Sequence, residues 1–242
     1  MILRSEIIQK WWPTTQALDI VEGSVEAVAT ALQAEVGRFL AGETISTAWA
    51  AFPNLDAALC SASEFANVPT IYLVLPTHSK WSVLWNNSFL CDGYDSLCHN
   101  LTKNHGMTTV HWSAHDEWTS FQSGASFSHR QKVGAEIVER SVAVAQEDKR
   151  WLFYAYGQPL VEEDTENYKI RRKRDRLNEE KISAFLSRLG ATPWLEQFYA
   201  MPATKAFVLR RENAPSRITR RRPEDVLRSL KKSSAENKSQ QI

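Results

Sequence analysis

Apolar residues recur every three or four positions in several stretches of the chain, which is the pattern of amphipathic helices. The first such stretch follows Ser24, a good helix cap, and stops before Gly42. Another follows Asn178 and stops at Gly190. A third opens at either Asp92 or Asp95. The pattern thus predicts helices over residues 24–40, 55–60, 95–105 and 178–190, and a charged helix over residues 164–176.

Aromatic and β-branched residues dominate other stretches, which are separated by polar turns and therefore predict strands. They predict one hairpin from residues 70–75 and 81–85, a second from residues 138–145 and 151–156, and single strands over residues 107–112 and 206–209. Hairpins and isolated helices, without regular alternation of strand and helix, indicate an α+β fold. We therefore expect an antiparallel sheet packed with helices, with a helical N-terminal segment.

No linker rich in Gly, Ser or Pro divides the first part of the chain, so a single α+β domain is predicted over residues 1–211. Residues 212–242 contain few apolar residues and many Arg, Lys, Ser and Asn, a composition typical of a flexible tail. Deleting this basic tail is expected to matter little.

The N-terminal residues lack the apolar core of a signal peptide, because Arg4, Glu6 and Lys10 interrupt them. No later stretch approaches the length of a membrane span. A cytoplasmic location without a membrane partner is expected. The three cysteines show no paired spacing and favour free thiols over disulfides.

Charge is distributed unequally along the chain. Before the Thr119–Ser120 bond there are 5 Lys+Arg against 12 Asp+Glu, a net charge of −7, and after it there are 24 against 16, a net charge of +8. One molecule therefore offers an acidic surface to basic partners and a basic surface to acidic ones.

Candidate metal ligands cluster in the middle of the chain, but their spacing argues against a site. Six Cys and His residues fall within 25 positions, namely Cys91, Cys98, His99, His105, His111 and His115. No CxxC or HExxH pattern occurs, and neighbouring residues on a helix point in different directions. We expect no metal and no cofactor.

A catalytic motif is also not evident. Ser126 and His129 are close in sequence, yet the GxSxG pattern of a nucleophile elbow is absent, and a turn or a bend in a sheet is the ordinary interpretation. The chain is therefore not expected to be an enzyme. An enzyme of an unrecognised family, with a site assembled from distant residues, ranks third among the functional hypotheses, after the protein-binding and nucleic-acid-binding roles described below.

Tryptophan is abundant, with nine residues in the chain. Most are expected in the core, but Trp112 or Trp118 is a candidate for an exposed anchor of the kind that dominates protein interfaces. Acidic residues lie close to them in sequence. The predicted partner-binding patch consists of Asp92, Asp95, Trp112, Asp116, Glu117 and Trp118.

This layout resembles the bacterial immunity proteins of polymorphic and contact-dependent toxin systems. The resemblance rests on a Trp-rich antiparallel sheet and on the acidic stretches 91–95 and 115–118, within residues 70–209 at most. It implies a protein partner, a cognate toxin, whose basic active site is occluded by tight binding. The basic tail departs from the usual acidic character of these proteins.

The alternative is a nucleic-acid-associated protein that uses the basic C-terminal half. From Arg210 onward the chain carries ten Lys and Arg against four Asp and Glu, including Arg220, Arg221 and Arg222. Such a tail would bind nucleic acid weakly and with salt sensitivity. The other basic run, residues 171–176, follows acidic residues on the predicted charged helix, an order that the helix dipole favours.

Overall fold

The computed structural model describes residues 10–15, 17–62, 64–90, 94–115, 124–147, 150–213, 219–222, 224–226 and 228. Five α-helices occur in this part of the chain: α1 Trp12–Thr15, α2 Val25–Phe39, α3 Leu55–Cys60, α4 Tyr94–His105 and α5 Glu179–Arg188. Among the residues described, no helix combines the length and the apolar character that crossing a membrane requires.

Eleven strands are described. They are β1 Ala17–Glu22, β2 Ile45–Ala50, β3 Phe65–Ala66, β4 Ile71–Leu75, β5 Trp81–Asn86, β6 Thr109–His115, β7 Gly124–Val133, β8 Glu136–Glu147, β9 Arg150–Tyr156, β10 Ala206–Arg211 and β11 Arg220–Arg221. Nine of them form one antiparallel sheet in the order β2-β10-β4-β5-β1-β6-β7-β8-β9. The predicted α+β class and antiparallel sheet are confirmed.

The sheet separates two apolar clusters. On one face, α2 and α4 pack against the sheet through residues such as Leu32, Leu101 and Phe207. On the other face lies a larger cluster that includes Leu59 of α3 and Phe185 of α5. The core therefore occupies both sides of a central sheet, and β2 and β9 are its two edges.

The predicted helices form where a local cap and an apolar stripe coincide. The side chains of Ser24, Asn54 and Asn178 each accept a hydrogen bond from a backbone N–H in the first turn of α2, α3 and α5. The two predicted hairpins are also confirmed, as β4–β5 and β8–β9.

The charged helix predicted over residues 164–176 is wrong. Two short 3₁₀ helices, Thr165–Lys169 and Lys173–Asp175, take its place and bury none of their side chains. The backbone is extended at Ile170, where ψ is 134°. The favourable order of acidic and basic residues did not suffice to form an α-helix, because this stretch lacks an apolar stripe that could pack against the sheet.

The N-terminal segment is not purely helical, since β1 and β2 flank α2. At the other end of the chain, described residues of the predicted tail contact the rest of the protein. β11 pairs with β3, and Val226 is 2% exposed within the larger cluster. Residues 229–242 lie outside the described part, and the prediction of one domain over residues 1–211 stays a prediction.

Candidate partner-binding site

One row of directly opposite residues crosses all nine strands on the face that carries α2 and α4. From β2 to β9 it reads Trp49, Phe207, Val74, Leu84, Asp19, His111, Ser128, Ser141 and Tyr156. Directly opposite residues share a face of the sheet. The row is therefore apolar as far as β5 and polar from β1 onward, so the two halves of this face have different chemistry.

The change occurs at Asp19, which lies inside the sheet. Its Oδ1 atom is 2.8 Å from Nδ1 of His111, and its side chain is fully buried. Burial raises the pKa of Asp19, and the hydrogen bond from His111 offsets part of that rise. Burial and the neighbouring Asp19 charge also raise the pKa of the Cys98 thiol on α4. Cys98 itself is fully buried.

Serine hydroxyls beyond His111 bond to one another in cross-strand pairs. Ser113 and Ser126 are 2.7 Å apart, and Ser128 and Ser141 are 2.8 Å apart. Ser126 and His129, the pair considered for catalysis, lie on opposite faces of β7 because strand residues alternate. The described hydroxyls therefore contribute a hydrogen-bonded polar floor, without a serine bonded to a histidine base.

A buried arginine lies beside this floor. The Nη2 atom of Arg130 on β7 is 2.7 Å from Asp95 of α4 and 2.9 Å from Glu139 of β8. The Arg130 side chain is only 5% exposed, whereas Asp95 is 59% and Glu139 is 28% exposed. The two carboxylates consequently face the solvent while the balancing positive charge is enclosed.

Helix α4 leaves the outer strands of this face uncovered. Along β7–β9 the small side chains Ser126, Ser141 and Ala143 are followed at the edge by Tyr154 and Tyr156. The two tyrosines are 51% and 71% exposed. We call these five residues the open face. It combines small side chains, which let a partner approach the sheet closely, with two large aromatic rings at the rim.

The sequence predicted a different set of residues for this role. Trp112 is only 2% exposed, and the expectation that it is an exposed anchor is wrong. Its position on β6 points to the face opposite the open face, where its ring packs edge-on against Trp194. Asp95 is exposed as expected. Asp92, Asp116, Glu117 and Trp118 lie outside the described residues.

The direction of α4 bears on those loop residues. Thr102, near its carboxyl end, contacts Thr109 at the start of β6, while Cys98 lies beside Asp19, which is opposite His111. The helix therefore runs antiparallel to β6, and its amino end is directed toward the His115 end of that strand. Residues 94 and 115, which border the two acidic stretches of the sequence, therefore lie toward the same end of β6.

The basic residues of the tail are partly engaged within the molecule. Arg221 lies over the ring of Phe89, with 5.7 Å between its guanidinium carbon and the ring centroid. Arg222 forms an ion pair with Asp225 at 2.9 Å. The side chain of Arg220 lies outside the described part. The alternative nucleic-acid site therefore contains at least one compensated charge.

Within the described residues, no group of three or more His, Cys, Asp and Glu side chains is arranged to hold a metal ion. His105, from the candidate cluster, instead bonds Glu35 at 2.8 Å between α2 and α4.

The sequence did not predict that Tyr154 and Tyr156 are exposed, although the pattern around them is unusual. Residues 151–156 are apolar or aromatic at nearly every position, which predicts a strand buried on both faces. At the edge of a sheet the same pattern leaves one aromatic face uncovered. Only the strand order, which depends on long-range pairing, distinguishes these cases.

No family model, no curated protein and no solved structure matches the chain.

Proposed function

We propose that this chain is a protein-binding module that docks a partner on the open face, with Tyr154 and Tyr156 as anchors. The observation that carries the proposal is the exposure of these two rings, 51% and 71%, side by side on an edge strand. Tyrosine is enriched among the residues that dominate binding energy, because its large rigid ring loses little entropy on binding.

Charge favours a basic partner. Asp95 and Glu139 present carboxylates at the border of the open face, and Arg130 between them is enclosed. A positively charged surface would therefore be attracted during encounter and oriented on docking. Asp116 and Glu117, which follow β6 in sequence, belong to the acidic patch that the sequence predicts.

A more specific version of this proposal is the immunity-like role that the resemblance to toxin-immunity proteins implies. In that role the partner is a toxin enzyme with a basic active site, and binding neutralises it in the cytoplasm by covering that site. The exposed tyrosines and the outward carboxylates support this form, since a basic catalytic cleft offers both a hollow for a ring and charges for the acids.

The product of the reading frame next to this gene, prepared as an inactive variant, is the probe for this role. Association and dissociation rates are measured for the wild type, for Tyr154→Ala with Tyr156→Ala, and for the control Val161→Ala. Val161 is 94% exposed and lies outside the open face. We expect the double variant to dissociate about 100-fold faster, a loss of about 3 kcal/mol, and the control to match the wild type.

A second change tests the charge. Asp116→Lys with Glu117→Lys, a charge reversal within the predicted patch, should slow association and leave dissociation nearly unchanged, because long-range charge acts mainly on the encounter. If the probe binds and neither pair of changes alters its kinetics, the open face is not the docking site. If the probe does not bind the wild type, the immunity-like form is wrong.

A further inference from the structure

We propose a second binding surface, a site for single-stranded nucleic acid centred on residues Arg171, Arg172, Lys173 and Arg174, which we call the basic turn. These four consecutive cations are exposed. They lie next to β9, on the face of the sheet opposite the open face, where Arg176 stacks on the ring of Phe153. The inference is independent of the proposed protein-binding function.

The conformation of this segment removes the ordinary explanation for its charge. On an α-helix, cations near the carboxyl end compensate the helix dipole. Here the backbone is extended at Arg172, with ψ 116°, and only a three-residue 3₁₀ helix follows. A dipole of that length is too small to account for four adjacent positive charges.

The basic turn is also poorly compensated by acids. The side chains of Arg171, Arg172 and Lys173 form no ion pair within the described part of the chain, and Arg174 has only Asp175, at 3.5 Å. In the preceding 3₁₀ helix the exposed Lys169 is instead paired with Glu166 at 2.6 Å. Adjacent like charges repel one another, so a polyanion would relieve an existing electrostatic cost.

Two hollows flank Leu177 beside the basic turn. The larger has a volume of about 270 Å³ and is lined at its base by the nearly buried Phe127 and Phe185, whose rings stack 4.3 Å apart. Charged side chains of both signs complete its lining, among them Asp164, Glu180, Arg176 and Lys181. The smaller, about 210 Å³, is lined in part by Trp151 and has Arg174 at its rim. Each hollow thus joins an apolar surface to a nearby cation.

This combination favours nucleic acid over an acidic peptide. Flat bases fill apolar hollows and stack on aromatic rings, while their phosphates contact neighbouring Arg and Lys side chains. Asp164 and Glu180, which line the larger hollow, suit the amino group of a base. The same two carboxylates would repel a peptide carboxylate. Unpaired bases are required, so the expected ligand is single-stranded.

The test uses the full chain and a fluorescently labelled single-stranded DNA of mixed sequence, about 15 nucleotides long, within the usual site sizes. Anisotropy titrations at several salt concentrations compare the wild type, the basic-turn variant Arg171→Ala/Arg172→Ala/Lys173→Ala, and the tail variant Arg221→Ala/Arg222→Ala/Arg228→Ala. Both variants remove three exposed cations, so their net charges are equal.

We expect the basic-turn variant to bind at least 10-fold more weakly and to reduce the slope of log K against log salt by about 2, at about 0.7 per phosphate contact. The tail variant should stay within about 3-fold of the wild type. Equal weakening by both variants, a loss confined to the tail variant, or no binding by the wild type at low salt would each overturn the proposal.

Two competitor ligands test the hollows. A strand of the same length without bases should bind at least 10-fold more weakly than the DNA, because each stacked base contributes about 1–3 kcal/mol. Polyglutamate should compete poorly. Equal affinity for the abasic strand would overturn the role of the hollows, and equal competition by polyglutamate would overturn the choice of nucleic acid.

Discussion

The guanidinium of Arg140 on β8 binds the carboxylate of Glu163 at two points, with N···O distances of 2.8 and 2.7 Å. The same carboxylate accepts hydrogen bonds from the backbone N–H of Leu160 and the hydroxyl of Tyr168. The Arg140 side chain is 5% exposed and that of Glu163 is fully buried. This cluster fastens the segment between β9 and α5, which includes the basic turn, to the sheet.

We predict that Glu163→Gln lowers the free energy of unfolding by about 3 kcal/mol at neutral pH, because it leaves the buried Arg140 charge without a charged partner. Burial alone would raise the pKa of Glu163, but the hydrogen bonds from Arg140, Leu160 and Tyr168 outweigh it and lower that pKa. The stabilisation is therefore complete above the ordinary pKa of 4.5 and is lost as the pH falls through the lower folded value.

Urea unfolding of wild type and variant across this pH range measures the effect. The control is Glu166→Gln, which removes an ion pair whose two side chains are more than 70% exposed. It should cost less than about 0.5 kcal/mol. A difference between wild type and Glu163→Gln that persists unchanged into acid would show that the charge of Glu163 is not its source.

Two buried tryptophans on β5 form a matched pair. Trp81 and Trp85 are 2% and 1% exposed, and Nε1 of Trp81 donates to the carbonyl of Leu189 at 2.9 Å. Within the described residues, Nε1 of Trp85 has no acceptor. Both Trp→Phe changes lose similar volume, but Trp81→Phe also leaves a carbonyl unpaired.

We therefore expect Trp81→Phe to cost about 1 kcal/mol more than Trp85→Phe in denaturant unfolding. Equal costs would mean that the hydrogen bond to Leu189 adds no stability. A larger cost for Trp85→Phe would indicate an acceptor for its indole.

The sequence was most informative where structure depends on neighbouring residues. The helices that follow Ser24 and Asn178 were predictable because a cap and an apolar stripe are both local features. The strands β1 and β2 were missed, since their pairing partners are distant in sequence. The strand β7 was missed although its partners β6 and β8 are its neighbours in sequence, because polar residues occupy much of it. β1 also contains a buried acidic residue, Asp19, whose hydrogen-bond partner His111 lies opposite on β6.

The same distinction between local features and long-range strand pairing applies to the candidate site. Exposure of Asp95 at the start of α4 was predictable from the helix itself. Burial of Trp112 depends on which face of β6 meets Trp194, and exposure of Tyr156 depends on β9 being the last strand. Both facts arise from strand order, which the hydrophobic pattern does not encode.

Two glycines have positive φ but differ in the space available for a Cβ atom, so they separate the cost of the backbone conformation from the cost of a steric clash. Gly134 has φ 62° and open space where a Cβ atom would lie, whereas Gly157 has φ 80° and a Cβ there would be 2.1 Å from the carbonyl oxygen of Glu139. Gly134→Ala should cost about 1 kcal/mol, the price of the left-handed conformation. Gly157→Ala adds a clash with a strand backbone and should cost at least about 2 kcal/mol more.

Thermal unfolding of the two variants checks this order. Gly134→Ala serves as the control for backbone conformation, because the two changes have the same chemistry. Similar losses for both would show that the end of β9 moves away from Glu139 without a penalty.

Contacts of the C-terminal residues lead us to expect that the tail contributes to stability, contrary to the expectation from composition. The backbone N–H of Asn67 donates to the carbonyl of Thr219 at 3.1 Å, and the N–H of Thr219 donates to the side chain of Asn67 at 3.0 Å. Val226 is 2% exposed and belongs to the larger apolar cluster. These contacts cover β3, a strand of two fully buried residues.

Val226→Ala should therefore lower the free energy of unfolding by about 2 kcal/mol, the usual cost of removing buried methyl groups. Deleting residues 213–242 should cost more, because it also removes the pairing between β11 and β3, and should increase hydrogen exchange at Phe65 and Ala66. Arg228→Ala is the control, since its side chain is 79% exposed. Unchanged stability of the deletion variant would mean that these contacts add nothing and that the tail is dispensable for folding.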